Sequence, residues 1–276
     1  MNYANMHLHS TYSDAQFTPE QLVLIGKSLG YRALALTDHE TDGGVAELMT
    51  HARKEGIDAL AGIEFYGDHG KYDLHIVALD YDMDHPALRA FVRERIEEYN
   101  EYTRKCVEYG IGIGVIEGIT WDDVVAWSGE NAWICIDSVM NTYRARHLDI
   151  PDNLRADVFR SPETLVHRPK HPSAEEVIRV IRAADGVAIL AHPHHQTHLV
   201  EELVGFGLNG IEVSHPELDD EMSSDALEAA RAFHLYHSGG TDHTGPMSGC
   251  GGELAIPVFN GISEEEYFAI KERRMM

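Results

Sequence analysis

The sequence predicts an α/β barrel of about seven strands, interrupted once by an inserted, mainly helical subdomain. Three observations predict it. Short apolar runs bounded by turn residues recur along the chain, and most are separated by stretches with helical periodicity. Nearly every run leads into a histidine, aspartate or glutamate, and when a sheet closes into a barrel the carboxyl ends of its strands converge on one face. An open doubly wound sheet collects such residues only near its switch point, so closure is favoured. Thirdly, the alternation lapses in the middle, which assigns residues 1–84 and 172–276 to the barrel and 85–171 to the insertion.

The first strand is expected over residues 5–9, where His7 and His9 flank Leu8. Side chains two apart share a face, so both imidazoles can reach one ion while Leu8 turns into apolar packing. Thr18, Pro19 and Gln21 supply an N-cap, a first-turn proline and a capping-box partner for a helix over 19–29, which Gly30 stops. Residues 32–37 read as a buried strand that delivers Asp38 and His39 to a polar loop. A helix over 44–55 closes at Gly56, the strand after it ends at Glu64, and residues 74–79, with His75, form the fourth strand. Beyond the interruption, Ser173 and Glu176 cap a helix running to about 185. Strands over 187–191, 210–214 and 236–240 then lead into His192, His215 and Asp242-His243, with helices over 199–206 and 222–234 between them.

Within the insertion a helix over 87–109 is expected to end at Gly110, before an irregular stretch holding Trp121, Trp127 and Trp133. The segment gathers Arg144, Arg146, Arg155, Arg160, Arg168 and Lys170 from a chain with only 22 basic residues. They read either as a salt-bridged surface or as a lid whose guanidiniums meet a substrate anion.

A formal net charge of −24 repels phosphate backbones and disfavours a nucleic acid polymer as partner, while a small anion held by metals stays compatible. Cys106, Cys135 and Cys250 are odd in number and form no Cys-x-x-Cys, so they read as free thiols in a reducing cytoplasm. No apolar run approaches the ~20 residues of a membrane span, and the first residues lack the features of a signal peptide. The expected location is cytoplasmic, with no membrane partner. Eighteen histidines are many for this length and read either as solvated loops or as metal ligands.

The candidate ligands are His7, His9, Asp14, His39, Glu64, His75, His192, Asp242 and His243. Imidazoles and carboxylates without thiolates suit Zn, Mn or Fe in an open, reactive site. Singly, each is more readily a capped or solvated loop residue. Nine of them at strand ends are hard to explain that way.

These residues also carry a family resemblance. His7-x-His9 with Ser13-Asp14, Thr37-Asp38-His39, Gly62-Ile63-Glu64, Asp73-Leu74-His75, Ala191-His192-Pro193, Gly210-Ile211-Glu212-Val213 and Gly240-Thr241-Asp242 resemble, in order and spacing, the motifs of the PHP (polymerase and histidinol phosphatase) family. The resemblance covers roughly residues 5–82 and 173–245 and leaves the insertion without a motif. It implies a distorted (β/α)7 TIM-like barrel and three divalent ions. His7, His9, Glu64 and Asp242 would hold the first. Glu64 would bridge to a second, held by His75 and His192, and Asp14, His39 and a late histidine would hold the third. The family's last motif is usually Asp-x-His, whereas here His243 follows Asp242 directly, so His243 ligates through a shorter loop or the third ion is held differently.

The implied activity is metal-dependent phosphoesterase chemistry on a small phosphorylated metabolite or nucleotide, a phosphomonoester or a cyclic phosphodiester. A water acidified between two ions would attack phosphorus in line. His194 reads either as a proton donor or phosphate contact or as a solvated loop residue, and His215 either as a support for a metal ligand or a substrate contact, or as strand-end packing. Glu212 is expected to orient a ligand imidazole and Asp38 to do so for His39. Arg144, Arg146 and His147 are the expected substrate-recognition residues. A metal-dependent amidohydrolase and a non-catalytic metal-stabilised binding module are the alternatives.

Overall fold

Four-residue apolar runs such as Ala33–Leu36 have no polar face to show to water, so they become strands covered on both sides. The computed structural model describes residues 2–243, 245 and 260–274. In chain order its elements are β1 (Ala4–Asn5), α1 (Pro19–Ser28), β2 (Ala33–Leu36), α2 (Val45–Glu55), β3 (Asp58–His69), β4 (Tyr72–Leu79), α3 (Pro86–Gly112), α4 (Trp121–Ser128), α5 (Ile136–Ala145), α6 (Pro162–Leu165), α7 (Ala174–Ala183), β5 (Val187–Leu190), α8 (Val200–Phe206), β6 (Gly210–Ser214), α9 (Asp220–Phe233), β7 (Tyr236–Gly239) and α10 (Glu264–Lys271).

The strands form one seven-stranded sheet in sequential order, a distorted barrel that is nearly closed. β1, β2 and β3 are parallel, as are β5, β6 and β7. β4 runs antiparallel to both of its neighbours. Gly70, at φ 62°, lets β3 turn directly into β4 as a hairpin without a crossover helix. His75 therefore lies near the start of its strand, not near its carboxyl end as expected. Because that strand is reversed, its beginning reaches the face where the other strands finish.

Closure is made by backbone beyond the regular ladders. The Met6 N–H donates to the Gly239 carbonyl (3.1 Å), the Asp242 N–H to the His7 carbonyl (2.9 Å), and Leu8 and His243 form a parallel bridge. β1 itself spans two residues, shorter than the expected 5–9, and beyond it the chain still meets the end of β2, the Thr37 N–H donating to the Leu8 carbonyl at 2.8 Å.

Strand alternation sorts the apolar side chains. Ala33, Ala35, Leu60, Val77, Leu79, Val187 and Ile189 cluster with Tyr267 and Ile270 of α10. Leu34 and Leu36 instead meet Leu22, Val23 and Leu48 of α1 and α2. Each large side chain fully buried in this way contributes roughly 1.5–3 kcal/mol. α10 was not anticipated. It packs against β7, its Tyr267 and Ile270 join the cluster that holds Ala4 of β1, and Ser263 and Glu266 form its capping box.

The helices of residues 86–165, with a π-helical turn at Leu154–Phe159, surround an apolar cluster that includes Cys106, Val107, Val124, Val139 and Val158. α3 runs through Gly110 to Gly112, contrary to the expected stop. At Gly110 a Cβ would lie 2.7 Å from Cδ1 of Ile116, so the glycine serves close packing and the chain turns later. Cys106 and Cys135 are free thiols, and Cys250 lies outside the described residues. Among the described residues no helix is long and apolar enough to cross a membrane.

Candidate metal centre

Glu64, on β3 and 1% exposed, is the centre of the site. Its Oε2 lies 3.3 Å from Nε2 of His7, 3.2 Å from Nε2 of His9 and 3.1 Å from Nδ1 of His39. Its Oε1 lies 2.9 Å from Nδ1 of His75 and 3.2 Å from Nε2 of His192. One carboxylate thus joins two groups of imidazoles. Asp242 reaches the first group, with Oδ1 2.9 Å from Nε2 of His9 and 3.6 Å from Nε2 of His7. Asp14 lies 3.5 Å from His9 and 3.8 Å from His39. As the alternation predicted, Leu8 packs with α1 and β2 while His7 and His9 face the cluster together.

A second layer holds these groups in place. Glu212, fully buried, accepts from the His7 ring at 2.9 Å and from the backbone N–H of His192 at 2.7 Å. Orientation by Glu212 was expected. Asp38 acts elsewhere than expected: it accepts from the Ser10 N–H, the Ser10 hydroxyl and the Ser13 hydroxyl, each at 2.6 Å, and so fixes the loop before Asp14 instead of the ring of His39.

Burial opposes the charge on Glu64, but the imidazoles of His7, His39 and His75 hold its carboxyl well below the ordinary range. Burial, together with His9 and His75, pushes His39 well below the usual imidazole range against the pull of Glu64. A neutral imidazole is the form that ligates a metal.

Both nitrogens of His9, Nε2 of His7, Nδ1 of His39 and Oε2 of Glu64 are buried without a hydrogen-bond partner. Each such atom ordinarily costs about 1–3 kcal/mol. Several converging on one point form a donor set for divalent cations. His7, His9, Glu64 and Asp242 bring ligand atoms within 4.8 Å of one another, as do His9, Asp14 and His39, and also His39, Glu64 and His75. The residues fit bound metal.

Other predicted residues are placed differently. The ring of His243 stacks on Phe17 at 5.6 Å, and its Nε2 is buried without a partner. Nε2 of His215, 3.3 Å from Oδ2 of Asp242, is wholly buried. His194 stands at the rim, 3.1 Å from Glu217 and with its ring 5.5 Å from that of His192. Arg146 pairs with Asp123 at 2.5 Å, Arg144 donates to Asn141, and His147 is exposed in left-handed backbone at φ 56°. A cavity of about 340 Å³ beside Asp14 and Tyr66 is lined instead by Arg155, Arg160 and Arg168. Tyr66 and Trp133 escaped the sequence reading. The available signal for Tyr66 was its position two residues after Glu64 on one strand.

A seven-stranded α/β barrel with buried imidazole and carboxylate donors at its mouth defines a metal-dependent hydrolase. The chain belongs to the PHP domain family, whose model matches residues 5–261. It is 31% identical to the 3',5'-nucleoside bisphosphate phosphatase of Chromobacterium violaceum over 89% of this chain and 88% of that one. It is 27% identical to the 5'-3' exoribonuclease Rnm of Salmonella typhimurium, covering 89% and 87% of the two chains. With the phosphoribosyl 1,2-cyclic phosphate 1,2-diphosphodiesterase of Eggerthella lenta the identity is 25%, over 87% and 94%. The fold matches a solved structure described as a metal-dependent phosphoesterase of Bifidobacterium adolescentis, with a TM-score of 0.80 at 24% identity over 99% and 96% of the chains. It also matches an amidohydrolase of Chromobacterium violaceum, with a TM-score of 0.73 at 24% identity over 99% and 97%. Hydrolysis of phosphoric esters is the class in which the chain falls.

Proposed function

We propose that the chain removes phosphate from a small, multiply charged ester, and that a nucleoside bisphosphate is the class of substrate its site supports best. One observation carries this reading. The cavity beside Asp14 brings Arg155, Arg160 and Arg168 together with Tyr99, Trp133 and Phe159. Among the described residues, none of these three arginines is in an ion pair, in a chain with 46 acidic residues. Asp137 also lines the cavity and attracts Arg155 at longer range, but guanidiniums outside any close carboxylate pair suit a second phosphate, and aromatic walls suit a base. The likeness to a nucleoside bisphosphate phosphatase supports the same class.

Three divalent ions of Zn, Mn or Fe are part of this reading. One is assigned to His7, His9, Glu64 and Asp242, one to Glu64, His75 and His192, and one to Asp14 and His39 with His9 or His243. When bound, they supply an acidified water and neutralise phosphoryl oxygens. The protein's own part is orientation. Glu64 spaces the two imidazole groups, and Glu212 fixes His7. His215 fixes Asp242: its Nδ1 accepts the Glu217 N–H at 3.2 Å, which leaves the proton on Nε2 facing Asp242. His194 at the rim is assigned the leaving oxygen or a phosphate contact.

A second reading, trimming of short 5'-phosphorylated RNA, is supported by the exoribonuclease relatives. The charge of −24 works against a long polymer in that role.

The test is phosphate release by the metal-loaded protein from nucleoside bisphosphates, nucleoside monophosphates, cyclic phosphates and 5'-phosphorylated oligonucleotides. A kcat/KM for bisphosphates about tenfold or more above that for monophosphates is expected from one extra charge-assisted contact. Equal values would remove the second-phosphate site. No release from any ester would remove the phosphoesterase reading and turn attention to amides.

A further inference from the structure

Tyr66 follows Glu64 by two residues on β3, so the two side chains leave the strand on the same face. It lies directly opposite His75 in the β3–β4 ladder. Its ring stacks on His39, with centroids 4.8 Å apart and planes at 12°, and meets His75 edge-on at 4.7 Å. His171 closes a third side at 4.7 Å. The phenol ring is therefore clamped between two candidate metal ligands and the insertion, and the residue also lines the cavity that holds Asp14 and the three arginines. The backbone N–H of Tyr66 donates to Glu40 at 2.9 Å, but among the described residues the hydroxyl has no hydrogen-bond partner.

A ring so held can aim its hydroxyl without loss of freedom when a ligand arrives. The residue stands where the donor cluster ends and the arginine cavity begins. We propose that the Tyr66 hydroxyl is a substrate contact, donating a hydrogen bond to a non-bridging oxygen of the phosphoryl group seated at the cluster. The ligand class is a tetrahedral oxyanion, either an ester phosphate or inorganic phosphate. No proton changes hands: Tyr66 remains a phenol, and its hydrogen bond strengthens as charge spreads over the equatorial oxygens. The inference rests on the phosphoesterase reading and adds to it a contact that neither the arginines nor the metal ligands supply.

Tyr66→Phe keeps the ring and its packing and removes only the hydroxyl. The metal-loaded variant and the parent protein are compared for metal content, for kcat and KM on a phosphate ester, and for affinity toward inorganic phosphate by calorimetry. The expected result is unchanged metal content, kcat/KM reduced about 10- to 100-fold, and phosphate bound about tenfold more weakly, the loss of one hydrogen bond to a charged group. Parent-like turnover and phosphate affinity would overturn the proposal. Loss of metal from Tyr66→Phe would also overturn it, by assigning the hydroxyl to the architecture of the cluster. If the parent protein binds phosphate but cleaves no ester, the phosphoesterase reading falls alone, and the comparison of phosphate affinities still decides the role of Tyr66. A parent protein that neither binds phosphate nor cleaves an ester would end both.

Discussion

The Nδ1–H of His7 donates to Oε1 of Glu212 across 2.9 Å, and neither side chain is exposed. A carboxylate can only accept, so this bond places a proton on Nδ1 and leaves Nε2 as the nitrogen that faces Glu64 and Asp242 and would ligate a bound metal. The other oxygen of Glu212 accepts the N–H of His192, so one carboxylate sets both a ring and the turn that carries a second ring. Glu212→Gln keeps the shape but offers one acceptor where two donors point. Metal affinity, measured by competition with a chelator, is expected to fall about 10- to 100-fold while the protein stays folded. Unchanged affinity would mean that His7 is aligned by packing alone.

The arginine cavity leads to a contrast among the arginines of residues 144–168. Arg160→Ala and Arg168→Ala each remove a guanidinium from the cavity wall, and each is expected to lower kcat/KM for a nucleoside bisphosphate about 10- to 100-fold, mainly through KM. Monophosphate hydrolysis should change little. Arg146→Ala breaks only an exposed pair with Asp123 and is expected to leave both activities intact. Equal losses on both substrates from the cavity variants would place the arginines at the scissile phosphate.

That contrast marks how far the sequence could be read. Seven strands and the histidine spacing were legible because strand alternation and caps are local signals: Thr18 with Gln21 caps α1, and Leu8 turns away from its flanking histidines. The reversal of β4 was not, because an apolar run carries no direction and Gly70 alone marks the turn. Which arginines meet the cavity was equally hidden. Arg144 and Arg155 look alike in sequence, and only the tertiary fold of this segment, with its π-helical turn at Leu154–Phe159, separates them. Asp38 was read as the partner of its neighbour His39, yet it bonds to Ser10 and Ser13, residues 28 and 25 positions away.

Glu40 leads to a pH prediction. It is fully buried, accepts the Tyr66 N–H through Oε1 and leaves Oε2 without a partner, and burial raises its carboxyl to about 8. An unfolded glutamate ionises near 4.3. The folded value lies above the unfolded one, so the contribution of Glu40 to stability is fully present below about 4.3 and is lost as pH rises toward about 8. The loss amounts to about 1.4 kcal/mol per pH unit within that window. Glu40→Gln cannot ionise. In urea denaturation of the metal-free proteins, the stability of the variant relative to the parent should rise steadily from pH 5.5 to 8. A difference independent of pH would show that Glu40 is already charged when folded.

Closure of the barrel depends on Gly240. A Cβ added there would lie 2.4 Å from the backbone N of His7 and 2.5 Å from its Cβ. The two segments cannot part without breaking the Asp242 N–H to His7 carbonyl bond and the Thr241 N–H to Asn5 side-chain bond. Gly240→Ala should therefore destabilise the fold by about 3 kcal/mol or more and draw Asp242 away from His9, with loss of metal content. Gly205, in α8, is the internal control: it has open space around its Cβ position, and Gly205→Ala should stabilise by roughly 0.4–1 kcal/mol. Denaturation midpoints and metal content of the two variants check both statements. A Gly240→Ala protein with parental stability and metal content would mean that the β7 extension can shift while the donor cluster stays assembled.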